Sequence, residues 1–269
     1  MENIKKIVIN LEKNHDRFFN TLKELKKVGL SDMISRFDAM TPSRVKNTQF
    51  KYITVDAYNN IKNVNSTLIL PNLNAVACAM SHIKVWYYIL NNGIENALIM
   101  EDDIEITDSY LFKIFYTDIV KIINSTHKYN PLLITFNSIP INKKYKINNC
   151  IEEIKEPFCN LHFYYINNKM AQFLAKNIDR LKYQIDIEVG LLSKMDRCKF
   201  LNVSSDCVIQ SKKFKSDIQF YRITPLEISK IFKLPIEICN IIYKFIPKCF
   251  KEKRCNQTDK IFKNYNLIN

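Results

Sequence analysis

Ala97-Leu98-Ile99-Met100-Glu101-Asp102-Asp103 places four apolar residues directly before three consecutive acids. Such an apolar run reads as a buried strand, and its end delivers a carboxylate cluster to the edge of a sheet. Three like charges side by side repel one another, and a divalent cation bound among them removes the repulsion. A metal-bound phosphate ester suits that edge; the competing reading is a solvated turn. Upstream, Ala75-Val76-Ala77-Cys78-Ala79-Met80-Ser81-His82-Ile83-Lys84-Val85-Trp86 reads as a helix that Asn91-Asn92-Gly93 ends before the strand. The order is helix, glycine stop, strand, acids.

Composition narrows the alternatives. At 269 residues and 47% hydrophobic, the chain can bury a full core, and one large α/β domain, or one domain plus a small appendix, is expected. No apolar stretch reaches the roughly 20 residues that span a bilayer. Met1 to Asn14 offers only Ile7-Val8-Ile9 as a continuous apolar core, too short for a secretion signal, so a cytoplasmic location is expected. Eight cysteines without a C-x-x-C pair read as reduced structural thiols, and the spacing of Cys159 and His162 lacks the second pair a zinc finger needs. The three glycines, Gly29, Gly93 and Gly190, exclude both G-x-G-x-x-G and a Walker loop. A bound diphosphate would therefore need a metal ion or basic side chains as counter-charge. The net charge of +13 is spread through a Lys-, Asn- and Ile-rich chain and lacks any aromatic-interleaved basic motif, which ranks nucleic-acid binding last.

Along the chain, Lys6 to Leu11 reads as a strand. A helix follows, capped by Asn14, carrying Phe18, Leu22 and Leu25 on one face and stopping at Gly29. Ile34 to Ala39 completes a β-α-β unit. Thr41 to Pro71 has weak periodicity and reads as a long, partly irregular excursion. On the helix from Asn74 to Asn91, Val76, Met80, Ile83, Tyr87 and Leu90 form the expected core stripe. His82 lies off that stripe, either hydrogen-bonded structurally or facing a ligand. Asp108 to Asn124 reads as a helix and Leu132 to Phe136 as a buried strand. Leu161 to Ile166 is another strand, followed by a helix capped near Asn167 with Met170, Phe173, Leu174 and Ile178 inward. In Ile185-Asp186-Ile187-Glu188-Val189-Gly190, acids alternate with apolar residues, either beside a cleft or at a helix start. Lys199 to Val203 and Cys207 to Gln210 close the domain.

From Tyr221 to Asn269 the character changes, with ten Lys or Arg against four acids. Thr224-Pro225-Leu226-Glu227 is a capping box, and Leu234-Pro235-Ile236-Glu237 opens a second amphipathic helix. The expected division is a domain over 1–220 and a basic helical extension over 221–269. That hairpin would dock on the domain, recruit a partner or touch a membrane surface peripherally.

Four segments in order resemble glycosyltransferase family 25, the group of bacterial lipooligosaccharide galactosyltransferases and collagen hydroxylysine galactosyltransferases. They are Val8-Ile9-Asn10-Leu11 with Asp16-Arg17; Ala79 to Trp86; Leu98 to Asp103; and Tyr164-Tyr165-Ile166 through Ile185-Asp186 to Val208-Ile209-Gln210. The resemblance implies a GT-A-like fold and inverting transfer of a hexose from a UDP-sugar to a hydroxyl of a glycan or hydroxylated protein. It implies that Asp103 contacts Mn²⁺ or Mg²⁺, with Glu101 acting through the metal or the ribose and Asp102 completing the acidic motif. Asn10 and Arg17 match the opening motif near the nucleotide, Ser81 and His82 the second motif, and Gln210 a late polar position. Asp186 matches a family acid that is a candidate general base, with Glu188 the second choice. Where several members have a glycine near the start of the Ser-His helix, this chain has Asn74-Ala75-Val76-Ala77, and residues 41–71 have no counterpart.

Hard oxygen ligands suit a divalent ion that stabilises charge on a departing diphosphate. An inverting displacement also needs a carboxylate opposite to take the acceptor's proton. The alternative is an inactive transferase-like module recruiting partners through an F-box-like C-terminal hairpin that begins at Leu234-Pro235-Ile236-Glu237-Ile238.

Overall fold

The computed structural model describes residues 4–45, 51–62, 69–125, 130–141 and 147–211, with short pieces at 213–214, 221–222, 237 and 252–253. In chain order its elements are β1 (Lys5–Asn10), α1 (His15–Lys27), β2 (Ile34–Asp38), α2 (Val55–Lys62), α3 (Leu73–Asn91), β3 (Asn96–Glu101), β4 (Ile104–Ile106) and α4 (Ser109–Ser125). There follow β5 (Leu132–Phe136), β6 (Ile139–Pro140), β7 (Cys150–Glu153), β8 (Phe158–Cys159), β9 (Phe163–Asn167), α5 (Asn168–Asn177), α6 (Ile185–Leu191), β10 (Lys199–Ser204) and β11 (Val208–Gln210).

Seven strands form one mixed sheet in the order β2-β1-β3-β9-β5-β10-β7. β1 lies parallel to both β2 and β3, and Ile9 pairs with Glu101, so the C-terminal ends of β1 and β3 finish side by side. β9 runs antiparallel between β3 and β5, while β10 is parallel to β5. Alternation along each strand feeds two cores. Ile7, Ile99, Tyr164 and Phe200 face α3 and α5, whereas Val8, Leu98, Met100, Phe136 and Phe163 face the side of α1 and α4. Phe112 of α4 meets Phe136 and Phe163 in an aromatic cluster whose closest ring centroids are 4.8 Å apart. Burying each such ring contributes about 1.5–3 kcal/mol. These layers are the α/β, GT-A-like organisation expected, with the acids at the carboxyl end of a strand near the middle of the sheet.

Several local expectations shift. Asn14 makes no side-chain cap on α1; its backbone oxygen instead accepts from the Asn10 side-chain amide at 3.0 Å. α3 starts at Leu73 rather than Asn74 and is capped by Asn72, which accepts from the Ala75 amide at 2.9 Å. The core stripe of α3 is rotated as well. Val76 and Met80 are buried, but Tyr87 is 49% exposed, while Ala79, His82, Trp86 and Ile89 are fully enclosed. Apolar periodicity misplaces the stripe because alanines and a histidine occupy much of the sheet-facing surface. A second wall covers the other side of α3: the excursion after Thr41 carries a 3-10 turn at Pro42–Arg44 and the helix α2, and contributes Val45, Ile53, Ala57, Ile61 and Leu70 to the core. Asn167 caps α5 as expected, accepting from the Met170 amide.

Among the described residues, no helix is long and apolar enough to cross a membrane. The helices expected between residues 224 and 245 lie outside the described residues; Tyr221–Arg222 and Glu252–Lys253 pair as a short antiparallel ladder.

Candidate active site

Glu101 ends β3, and Asp102 and Asp103 form the turn into β4. The turn is not a solvated one, because Asp102 and Asp103 are only 6% and 3% exposed. Its backbone is tied down from three directions: the Glu101 amide donates to the His162 carbonyl at 2.8 Å, Thr21 Oγ1 donates to the Asp102 carbonyl at 2.9 Å, and the Ser211 amide donates to the Asp103 carbonyl at 2.6 Å.

Arg17, on the first turn of α1, neutralises the pair of aspartates. Its Nη2 lies 2.6 Å from Asp102 Oδ1 and 3.0 Å from Asp103 Oδ2, and its guanidinium stacks over the Phe214 ring. Asn10 Nδ2 donates to Asp102 Oδ2 at 2.7 Å, and Gln210 Nε2 donates to Asp103 Oδ2 at 3.0 Å. Residues expected from the sequence therefore converge on the acids from β1, α1 and β11. Asp103 Oδ1, by contrast, is buried without a hydrogen-bond partner. Burial, and then the neighbouring Glu101 charge, push the Asp103 carboxyl up to about 7 against the pull of Arg17 and the Gln210 amide. A divalent cation reverses both penalties, so this oxygen and the carboxylate of Glu101 fit a hard ion.

Glu101 is bound into a second network. Trp86 Nε1 can only donate, and does so to Tyr164 Oη at 3.1 Å. Tyr164 Oη sits 2.9 Å from His82 Nδ1, and His82 Nε2 is 3.3 Å from Glu101 Oε1. If the tyrosine hydrogen points at Nδ1, the imidazole carries its proton on Nε2 and donates it to the carboxylate. Burial works against charge on Glu101, yet His82, His162 and Arg17 together outweigh it and hold the carboxyl below the usual glutamate range. His82 thus sits in a buried hydrogen-bonded network that reaches Glu101.

The other expected residues separate. Ser81 Oγ donates to the Ala77 carbonyl and accepts from the Met40 amide, fastening α3 to the segment after β2 rather than facing the acids. Asp186, near the start of α6, accepts from the Asn160 and Ile187 amides, both at 2.9 Å. Burial raises its carboxyl above the ordinary range despite these amides, and the Glu101 charge adds to the rise. Glu188 takes a different part, its Oε1 accepting from the Lys182 and Tyr183 amides at 2.6 and 2.8 Å to close the turn before α6.

Three contributors are not among the site residues expected from the sequence. Cys78 reads there as one more structural thiol, yet its ligand atom and those of His82 and Glu101 all lie within 4.8 Å of one another, and this is the one such group of three among the described residues. The i, i+4 spacing of Cys78 and His82 on a helix is the available signal. Tyr164, fully buried, links Trp86 to His82; nothing in an apolar strand marks which hydroxyl will be used. His162 is buried next to Glu101, and burial lowers its basicity against the pull of the Glu101 charge and the Val208 backbone.

Comparison with known proteins bears on this geometry. The model of glycosyltransferase family 25, described as an LPS biosynthesis protein, matches residues 3–189. No curated protein matches. Among solved structures, the galactosyltransferase LgtC in complex with donor and acceptor sugar analogues is 13% identical, with 73% of each chain covered and a TM-score of 0.40. A putative glucose-1-phosphate thymidylyltransferase from Bacillus anthracis is 10% identical over 74% of this chain and 86% of its own, with a TM-score of 0.37. Mannose-1-phosphate geranyltransferase from Thermus thermophilus is 8% identical over 76% and 74%, with a TM-score of 0.34. The family match takes in both the acid turn and Asp186 and spans well over half of the chain, which belongs to glycosyltransferase family 25.

Proposed function

We propose that this glycosyltransferase moves a hexose, galactose, glucose or N-acetylglucosamine, from a UDP-sugar to a hydroxyl of a glycan or protein acceptor, with inversion and with help from a divalent cation. The observation that carries the reading is Asp103 Oδ1, a buried carboxylate oxygen left without a partner beside Glu101. Buried polar atoms in folded chains are nearly always satisfied, and an exception among clustered acids points to a ligand. Asp103 and Glu101 would hold Mn²⁺ or Mg²⁺, which stabilises the negative charge developing on the departing diphosphate.

The remaining work falls to the chain's own side chains. Asn10 and Gln210 hold Asp102 and Asp103 in one orientation, and Arg17 keeps the paired aspartates from repelling one another. Arg17 would also stand next to the diphosphate, supplying the counter-charge that a glycine-rich loop supplies elsewhere. Asp186 would accept the acceptor hydroxyl's proton, as its raised basicity suits a general base. Glu188 ranks behind it, since its Oε1 is spent on the turn.

Arg17 also favours a second reading, in which the guanidinium bridging the two aspartates takes the place of the ion and transfer proceeds without metal. Release of UDP from UDP-galactose, UDP-glucose and UDP-N-acetylglucosamine, with Mn²⁺ or with chelator and with or without saccharide and hydroxylysine-peptide acceptors, separates these. Metal-dependent release that Asp103→Asn abolishes is expected. Full turnover in chelator selects the arginine reading. A folded chain inert toward every donor favours the interaction module, which would then lose its partners in a chain ending at Phe220.

A further inference from the structure

Hard and soft donors meet at Glu101. On one side are the oxygens of Asp103; on the other are Cys78 Sγ, 3.9 Å from Glu101 Oε1, and His82 Nε2, 3.3 Å from the same atom. All three ligand atoms lie within 4.8 Å of one another. The 3.3 and 3.9 Å separations to Glu101 Oε1 are close to the edges of a tetrahedron with metal–ligand bonds of about 2.0–2.3 Å. Cys78 and His82 project from successive turns of α3, and Glu101 ends β3, so side-chain rotation alone would close the set on one ion.

We propose that Cys78, His82 and Glu101 form a binding site for a thiophilic divalent ion, Zn²⁺ above all, which shares Glu101 with the oxygen site of Asp103. A thiolate and an imidazole select Zn²⁺ over Mn²⁺ or Mg²⁺, which prefer oxygen. The second sphere is already built. Tyr164 Oη, 2.9 Å from His82 Nδ1, can accept as readily as it donates, so it supports the imidazole tautomer that frees Nε2 for a metal. Trp86, hydrogen-bonded to the same hydroxyl, holds that partner in place. Binding replaces the Nε2 proton by moving it to Nδ1 and releases the Cys78 thiol proton to solvent, with no change of oxidation state. Three protein ligands leave the fourth position open, as in zinc sites that accept an exogenous ligand.

The site is read by metal binding rather than by turnover, so its failure is separate from failure of the transferase reading. Co²⁺ added to the full chain is expected to give a thiolate-to-cobalt charge-transfer band that saturates at one equivalent and is removed by Zn²⁺. Cys78→Ser should lose the band and weaken Zn²⁺ binding by more than about 100-fold, while Asp103→Asn keeps both. No band in the wild type, a band that persists in Cys78→Ser, or its loss in Asp103→Asn overturns the proposal. If Cys78→Ser does not fold, zinc-edge X-ray absorption on the wild type decides. One sulfur at about 2.3 Å among nitrogen and oxygen neighbours is expected, and an all-oxygen and nitrogen shell or several sulfurs overturns it.

Discussion

Asp186 carries two backbone hydrogen bonds that ought to favour its charged form, and burial still wins, lifting its carboxyl above the ordinary aspartate range. A general base works only when ionised. The rate of transfer should therefore fall on acidification already above the ordinary aspartate value of about 3.9, and a pH profile of kcat/KM measures that limb. Asp186→Asn should lose the limb together with about 10²–10⁴-fold in kcat, with the melting temperature checked in parallel. Tyr164 tests the neighbouring network. Tyr164→Phe leaves the buried Trp86 Nε1 and His82 Nδ1 without their shared partner, and a loss of about 1–3 kcal/mol in urea denaturation is expected. The acids were marked in the sequence by the apolar run before them, and His82 and Arg17 by the family resemblance. Their partners were not, because a hydrogen-bond partner is defined by distance in space, and Cys78 in particular looks like any other apolar-face thiol.

Elements deliver these residues through a few close contacts. The short ladder between β4 and β11 puts Gln210 opposite Ile104, which sets the amide against Asp103. α6 packs against β8 so tightly that a Cβ on Gly190 would fall 2.6 Å from the Phe158 amide nitrogen and 3.0 Å from Pro157 Cα. Both neighbours are backbone and cannot swing aside. Gly190→Ala should cost about 1–3 kcal/mol, read from chemical denaturation, and should weaken donor turnover by shifting Asp186 on the same helix. The strands β5 and β10 and the Asn167 cap of α5 could be read directly from apolar runs and capping chemistry. The orientation of α3 could not. A helix walled on both sides shows no clean apolar stripe, and its alanines and histidine carry little hydrophobic signal despite complete burial.

For the molecule as a whole, the family match stops at residue 189, but the fold does not. β10 pairs with both β5 and β7 and contributes Phe200, Leu201 and Val203 to the two cores. A chain ending at residue 196 should therefore fail to fold. One ending at Phe220 keeps every strand of the main sheet and should melt within about 4 °C of the full chain, as followed by circular dichroism. Local order is written in the residues themselves: apolar alternation, caps, glycine stops and the acid triplet follow from short-range sterics and hydropathy, and they sufficed for the α/β class and for an acidic centre at the end of β3. Charge balance at that centre is another matter. Asn10 reaches Asp102 across 92 positions and Gln210 reaches Asp103 across 107, so which oxygen is neutralised and which is left without a hydrogen bond depended on long-range packing. Electrostatics follows distance and burial, and neither exists until the strands have paired.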